Sequence, residues 1–212
     1  MNEKERVAVL LHDLCSAIDN PVQGRGRPRL PLSDSVFCAV MKVYGGTSGR
    51  RAMTDLRDFA AKGYIDRAPH YNSVFNALEN PLLTPILTKM IEESAGPLAA
   101  VETDFAADSS GFSTSNFHRW YSAKYGREMT KTTWLKAHVM IGTRTNVVTS
   151  VEISDAFSHD TNYFRPLLVT AAKRFKLEKV SADKAYSSKA NLEAVNALGA
   201  YPLIPFRSAI TA

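Results

Sequence analysis

The chain has 212 residues, 45% of them hydrophobic, and a formal net charge of +5, enough apolar material for one large core or two modest ones. No apolar run approaches the ~18 residues of a membrane span, and the charged, helix-patterned N-terminus is not a signal sequence, so the chain reads as soluble and not exported. Cys15 and Cys38 fall on apolar helix faces without ligand-like spacing, which argues against a zinc site or a disulfide scaffold and fits buried thiols in a reducing compartment.

Glu3 to Ile18 carries Val7, Leu10, Leu11, Leu14, Cys15 and Ile18 at helical spacing behind an Asn2/Glu5 capping box. Asp19-Asn20-Pro21 ends that helix. The Gly/Arg/Pro segment up to Pro31 predicts an exposed connector whose Arg25, Arg27 and Arg29 face water or DNA. A second helix is expected from Ser33 to Tyr44, and a third from Gly49 to Ala61, capped by Ser48, with Arg50, Arg51 and Arg57 turned away from its apolar face. Tyr71 to Glu79 predicts a fourth helix that flanks a turn with the third in helix-turn-helix manner; DNA reading and plain bundle packing both stand for it. Thr84-Pro85 opens a fifth that stops at Gly96-Pro97.

After Pro97 helical spacing gives way to alternation, so a domain boundary is expected between residues 1–98 and 99–212. The first strand, Val101 to Ala107, ends in Asp108 followed by Ser-Ser-Gly, a sequence that also makes an ordinary Asx-turn. The stretch from His118 to Lys136, with Lys124, Arg127 and Lys131, interleaves basic with aromatic residues; it suits phosphate contacts with stacking alongside, or is a solvated loop. Thr133 to Ile141 alternates Trp134, Lys136, His138 and Met140 on one face with Leu135, Ala137, Val139 and Ile141 on the other. A turn at Gly142 to Asn146 leads to the hairpin partner, Val147 to Ile153. A helix with Phe164, Leu167, Leu168 and Ala171 is expected behind Asp160 as its cap. A strand from Glu178 to Ala182 ends in Asp183, a helix carries Leu192, Val195 and Leu198, and Tyr201 to Phe206 predicts a fifth strand.

If the first three strands form an antiparallel meander, a right-handed crossover from the third lays the fourth beside the first, parallel to it. The predicted fold is therefore α/β, a mixed sheet of order 3-2-1-4-5 behind an all-helical N-terminal domain. Its first and fourth strands end together, and those ends carry Asp108 and Asp183. Two close carboxylates repel unless a cation lies between them, and hard oxygen donors without Cys or paired His select Mg2+ or Mn2+. Metal-assisted chemistry at phosphorus is the reaction class such a site serves.

Four features in order carry a family resemblance: Asp108-Ser-Ser-Gly, the strand with Trp134, Lys136 and His138, the Ser158-His159-Asp160 segment, and Ala182-Asp183-Lys184-Ala185-Tyr186. Together they resemble the DDE transposases of bacterial insertion sequences, over nearly the whole chain. The resemblance implies a ribonuclease-H-like catalytic domain behind a helical region that binds element DNA ends, with Asp108 and Asp183 as two of three metal-binding acids. Ala185 stands where the family motif has glycine. The Ile204-Pro205-Phe206-Arg207 run is also similar, whereas the family's third acid, a glutamate in a later helix, has no counterpart in this sequence. By the same analogy Lys136 and His138 flank the scissile or target strand; a partly exposed strand face is the alternative. Expected partners are DNA ends and target DNA, no membrane, and a homo-oligomer on paired ends, with the protein acting at the nucleoid in the cytoplasm. A DNA-binding remnant that competes for element ends is the other reading of a chain with two of three acids.

Overall fold

The computed structural model describes residues 2–26, 28–113 and 134–206. Cα packing divides the chain into two compact units, Met1–Met90 and Ile91–Ala212. Among the described residues no helix is long and apolar enough to cross a membrane.

The first unit is helical: α1 (Glu3–Ser16), α2 (Leu32–Tyr44), α3 (Gly49–Ala61), α4 (Tyr71–Leu78) and the start of α5 (Leu83–Ala95). The Asn2/Glu5 capping box forms as its spacing predicts. Ser48 occupies the cap position of α3 without a side-chain bond, and His70 rather than an acid or hydroxyl caps α4, accepting from the Asn72 N–H. Phe37, Phe59 and Tyr64 form the aromatic centre of the core, with ring centroids 5.4 to 6.1 Å apart. Cys15 and Cys38 lie in the same core, free and buried, and burial pushes both thiols up to about 12. Neither thiol is a nucleophile at neutral pH.

The second unit is a five-stranded sheet of order β3-β2-β1-β4-β5, as the crossover argument requires. Its strands are β1 (Asp104–Ser113), β2 (Trp134–Gly142), β3 (Val148–Asp155), β4 (Lys179–Ala182) and β5 (Tyr201–Leu203), joined after β3 by α6 (Thr161–Ala172) and after β4 by α7 (Lys189–Ala197). β1 is antiparallel to β2 and parallel to β4. Phe105, Ala107, Met140 and Val180 of the sheet meet Phe164, Leu167, Leu168 and Ala171 of α6 and Val195 of α7 in one core.

Two local expectations fail in β1. The strand starts at Asp104 and runs through Ser109, Ser110 and Gly111 to Ser113, so Asp108 sits within the strand and not at its end. β2 pairs with it along that whole length, Asp108 opposite Val139 and Ser113 opposite Trp134, and the ladder's hydrogen bonds hold turn-forming residues extended.

Glu102, just ahead of β1, is 1% exposed. One carboxylate oxygen accepts from the backbone N–H of Arg144 (3.1 Å) and Thr145 (2.8 Å) and from the Thr145 hydroxyl (2.8 Å), fastening the β2–β3 turn. A Cβ added at Gly142 would overlap this fixed carboxylate, whereas one added at Gly49 would meet the Phe75 ring, which is 38% exposed and can turn away. Gly142→Ala is therefore expected to cost about 1–3 kcal/mol and Gly49→Ala to be near neutral. Urea unfolding of the two variants measures the difference, and equal costs would show that Glu102 is not rigid.

Candidate active site

The parallel ladder between β1 and β4 ends at the pair Ala107–Ala182. Beyond that pair β4 stops while β1 continues, so Asp108 and Asp183 are each the first residue past the last paired position of two neighbouring strands. Both residues are exposed. Asp108 Oδ1 accepts from the Ser109 N–H at 2.7 Å, and Asp183 Oδ1 from the Ala185 N–H at 2.8 Å as the cap of a single 3-10 turn, Lys184–Tyr186. Each carboxylate is thus held by local backbone.

The turn behind Asp183 is locked from below. Asn191, 2% exposed, gives its side-chain amide to the Tyr186 carbonyl (2.8 Å) and the Thr161 hydroxyl (3.0 Å), tying the loop to the start of α6. Tyr186 is also buried. Its hydroxyl lies alongside Ser109 without closing a hydrogen bond, and burial, followed by the fields of Asp160, Asp108 and Asp183, pushes it up to about 12. It stays protonated beside the acids. Neither residue stands out in the sequence as more than a helix or turn position.

Lys136 and His138 share the face of β2 that packs against α6: Lys136 is partly exposed, as the alternative of a partly exposed strand face has it, while His138 is buried and is not the exposed DNA contact that the analogy suggests. His138 is 0% exposed, stacked on Tyr163 with ring centroids 4.2 Å apart, and offers no surface to a DNA strand. Its Nε2 lies 2.9 Å from Ser154 Oγ, and that hydroxyl donates to the Asp155 carbonyl, so the Nε2–H tautomer donates and Nδ1 keeps a bare lone pair. At 3.7 Å from Asp160, Nδ1 makes no hydrogen bond. Asp160 does not cap α6 with its side chain either: its carboxylate takes the Lys136 ammonium at 2.6 Å, an ion pair across β2 and the helix start. His159 is exposed and no His159–Asp160 dyad forms.

Burial lowers His138 below the usual histidine range; Asp160 opposes this and Lys136 adds to it. A buried neutral imidazole stabilises the fold above its unfolded value, and that contribution is lost as the pH falls, because the unfolded ring takes a proton that the folded one refuses. Thermal stability is accordingly expected to fall below about pH 6.5. His138→Gln should flatten that fall in a series of melting temperatures against pH; an unchanged slope would assign it to another group.

Of the remaining basic residues, Arg25, Arg29, Arg50 and Arg51 are exposed in the helical unit. Arg27, Lys124, Arg127, Lys131 and Arg207 lie outside the described residues.

Donor chemistry tests whether the acid pair suits a divalent cation. Two exposed carboxylates just past the end of the β1–β4 ladder supply hard oxygen ligands, which fit Mg2+ or Mn2+ and not a thiolate or imidazole set. Among the described residues, no three His, Cys, Asp or Glu side chains gather closely enough to hold a metal ion.

A family model described as "Transposase DDE domain" matches residues 100–211, just over half of the chain. No curated protein matches it.

Proposed function

The chain belongs to the DDE transposase family, and on that premise we propose that it is the transposase of an insertion sequence, binding the element's DNA ends and cutting and joining DNA. The observation that supports this best is the end of the β1–β4 ladder, which leaves Asp108 and Asp183 side by side and exposed. These two residues hold a divalent cation, Mg2+ with Mn2+ as substitute. When bound, it supplies Lewis-acid polarisation at phosphorus and a water or hydroxyl nucleophile at neutral pH. The Ser109 and Ala185 N–H groups aim the carboxylates, and Asn191 keeps the Asp183 turn in register with α6. Residues 1–98 act as the part that binds DNA ends and 99–212 as the catalytic part. Arg25, Arg27, Arg29, Arg50 and Arg51 of the first, and Lys124, Arg127 and Lys131 of the second, neutralise phosphates. Two copies bring paired ends together at the nucleoid.

A second reading, a DNA-binding remnant that competes for element ends, is favoured by the lack of a three-residue metal cluster among the described residues. Cleavage of a duplex carrying the sequence that borders this gene separates the two. Nicking that needs Mg2+ or Mn2+ and stops with a chelator supports the transposase. Salt-sensitive binding without any metal-dependent nicking supports the remnant.

A further inference from the structure

The charges of α3 are unevenly spent. Neither of its acids is left for its arginines: Asp55 pairs with Lys4 of α1 at 2.5 Å, and Asp58 with Lys62, the C-cap residue of the same helix, at 3.0 Å. Arg51 and Asp55 have the i,i+4 spacing of a helical ion pair, yet Asp55 goes to Lys4. Among the described residues no carboxylate lies within ion-pair distance of Arg50, Arg51 or Arg57. The helix therefore presents three guanidiniums with no internal counter-charge.

Two of the three frame a cleft. Arg50 and Arg57, with Met53 from the same helix and Ala68, Pro69, His70 and Tyr71 from the approach to α4, line a cavity of about 510 Å3. The Arg50 guanidinium lies 5.5 Å from the Tyr71 ring centroid, a cation–π contact that orients it while leaving its N–H donors available. His70 Nδ1 accepts from the Asn72 N–H, so its Nε2–H is a donor at the rim. Met53, Ala68 and Pro69 give an apolar floor of the sort a sugar edge packs on. Arg50 and Arg57 are seven residues apart, a rise of about 10 Å along the helix, far enough for the two guanidiniums to reach different phosphates of one DNA strand.

We propose that this α3–α4 cleft is a binding site for the phosphodiester backbone of duplex DNA, with Arg50 and Arg57 as its phosphate contacts and His70 as a further donor. The site rests on the DNA-binding reading above and shifts its weight from the 23–31 connector to α3. The connector is itself folded back: the Arg29 N–H donates to Gln23 and the Arg67 guanidinium to the Pro28 carbonyl. Tyr71 is a positioning residue, acting through Arg50.

Fluorescence anisotropy of a labelled duplex, titrated with the full chain across a range of salt, tests the assignment. Arg50→Ala/Arg57→Ala is expected to weaken binding roughly tenfold or more at low salt and to reduce the slope of log affinity against log salt by about 2, one unit per lost phosphate contact. Arg25→Ala/Arg29→Ala should change the slope less. Tyr71→Leu should weaken binding with the slope unchanged, because no charge is removed. Equal affinity and slope for the Arg50/Arg57 variant and the unaltered chain would overturn the proposal while leaving DNA binding intact. No binding by the unaltered chain would overturn the DNA reading and this site with it.

Discussion

Asp108→Asn and Asp183→Asn are each expected to lower metal-dependent DNA cleavage by about a hundredfold or more, since even the outer partners of a metal ligand are worth 10- to 100-fold. Asparagine is the informative replacement. It keeps an acceptor for the Ser109 or Ala185 N–H, and at position 183 it still caps the 3-10 turn, so only the charge is lost. Two neighbouring carboxylates repel in metal-free buffer, so thermal stability there should be equal or slightly higher in the variants. In the unaltered chain Mn2+ should raise the melting temperature, because a ligand that binds only the folded state stabilises it by mass action. That rise should vanish in both variants, with duplex binding preserved. The opposing signs separate a lost ligand from a damaged fold. Cleavage that survives either substitution would remove the pair from the active site; a Mn2+-dependent rise that persists would place the cation elsewhere.

Glu102→Ala is expected to cost about 2–4 kcal/mol, the largest stability effect of any single change considered, because it strips three donors of the β2–β3 turn of their acceptor in a buried site. Burial pushes the Glu102 carboxyl up, but the Thr145 hydroxyl and the backbone N–H groups of Thr145, Arg144 and Asp104 outweigh it and hold the group below the usual glutamate range. The sign of its pH dependence follows. Its stabilisation is full above the unfolded value, about 4.3, and is lost as the pH falls through the lower folded value. Glu102→Gln keeps the shape and one carbonyl acceptor, so it should cost less than alanine and should flatten the acid end of the stability curve. Urea unfolding at neutral and acid pH measures both effects. Variants as stable as the unaltered chain would mean that the turn is held by its own backbone.

The site and the fold differ in how much of them is legible in the chain. Helical spacing in residues 3–95 and alternation after Pro97 mark nearly every element, because amphipathic periodicity reports directly on which residues are buried. The adjacency of the first and fourth strands follows from element order and the handedness of one crossover, and the strand order β3-β2-β1-β4-β5 agrees with it. Local chemistry misleads at Ser109-Ser110-Gly111, which is turn-like in isolation and extended beside β2. It misleads again at Asp160, a good cap by type whose charge is claimed by Lys136.

By itself, then, the sequence determined the α/β class, the helical character of the N-terminal region and the strand order that makes the first and fourth strands neighbours, since periodicity, turn chemistry and crossover handedness are written in short stretches. Only the tertiary structure decided which face of β2 is covered. Alternation separates Lys136 and His138 from Leu135 and Val139 but does not say which set faces α6, because a slip of one residue exchanges the faces. The same holds for Glu102, whose partners in the β2–β3 turn are more than 40 residues away, and for the α3–α4 cleft, where Lys4 of α1 takes Asp55 and leaves Arg51 without its i,i+4 partner. Charge compensation and burial are properties of neighbours in space, and those neighbours are set only when the chain has folded.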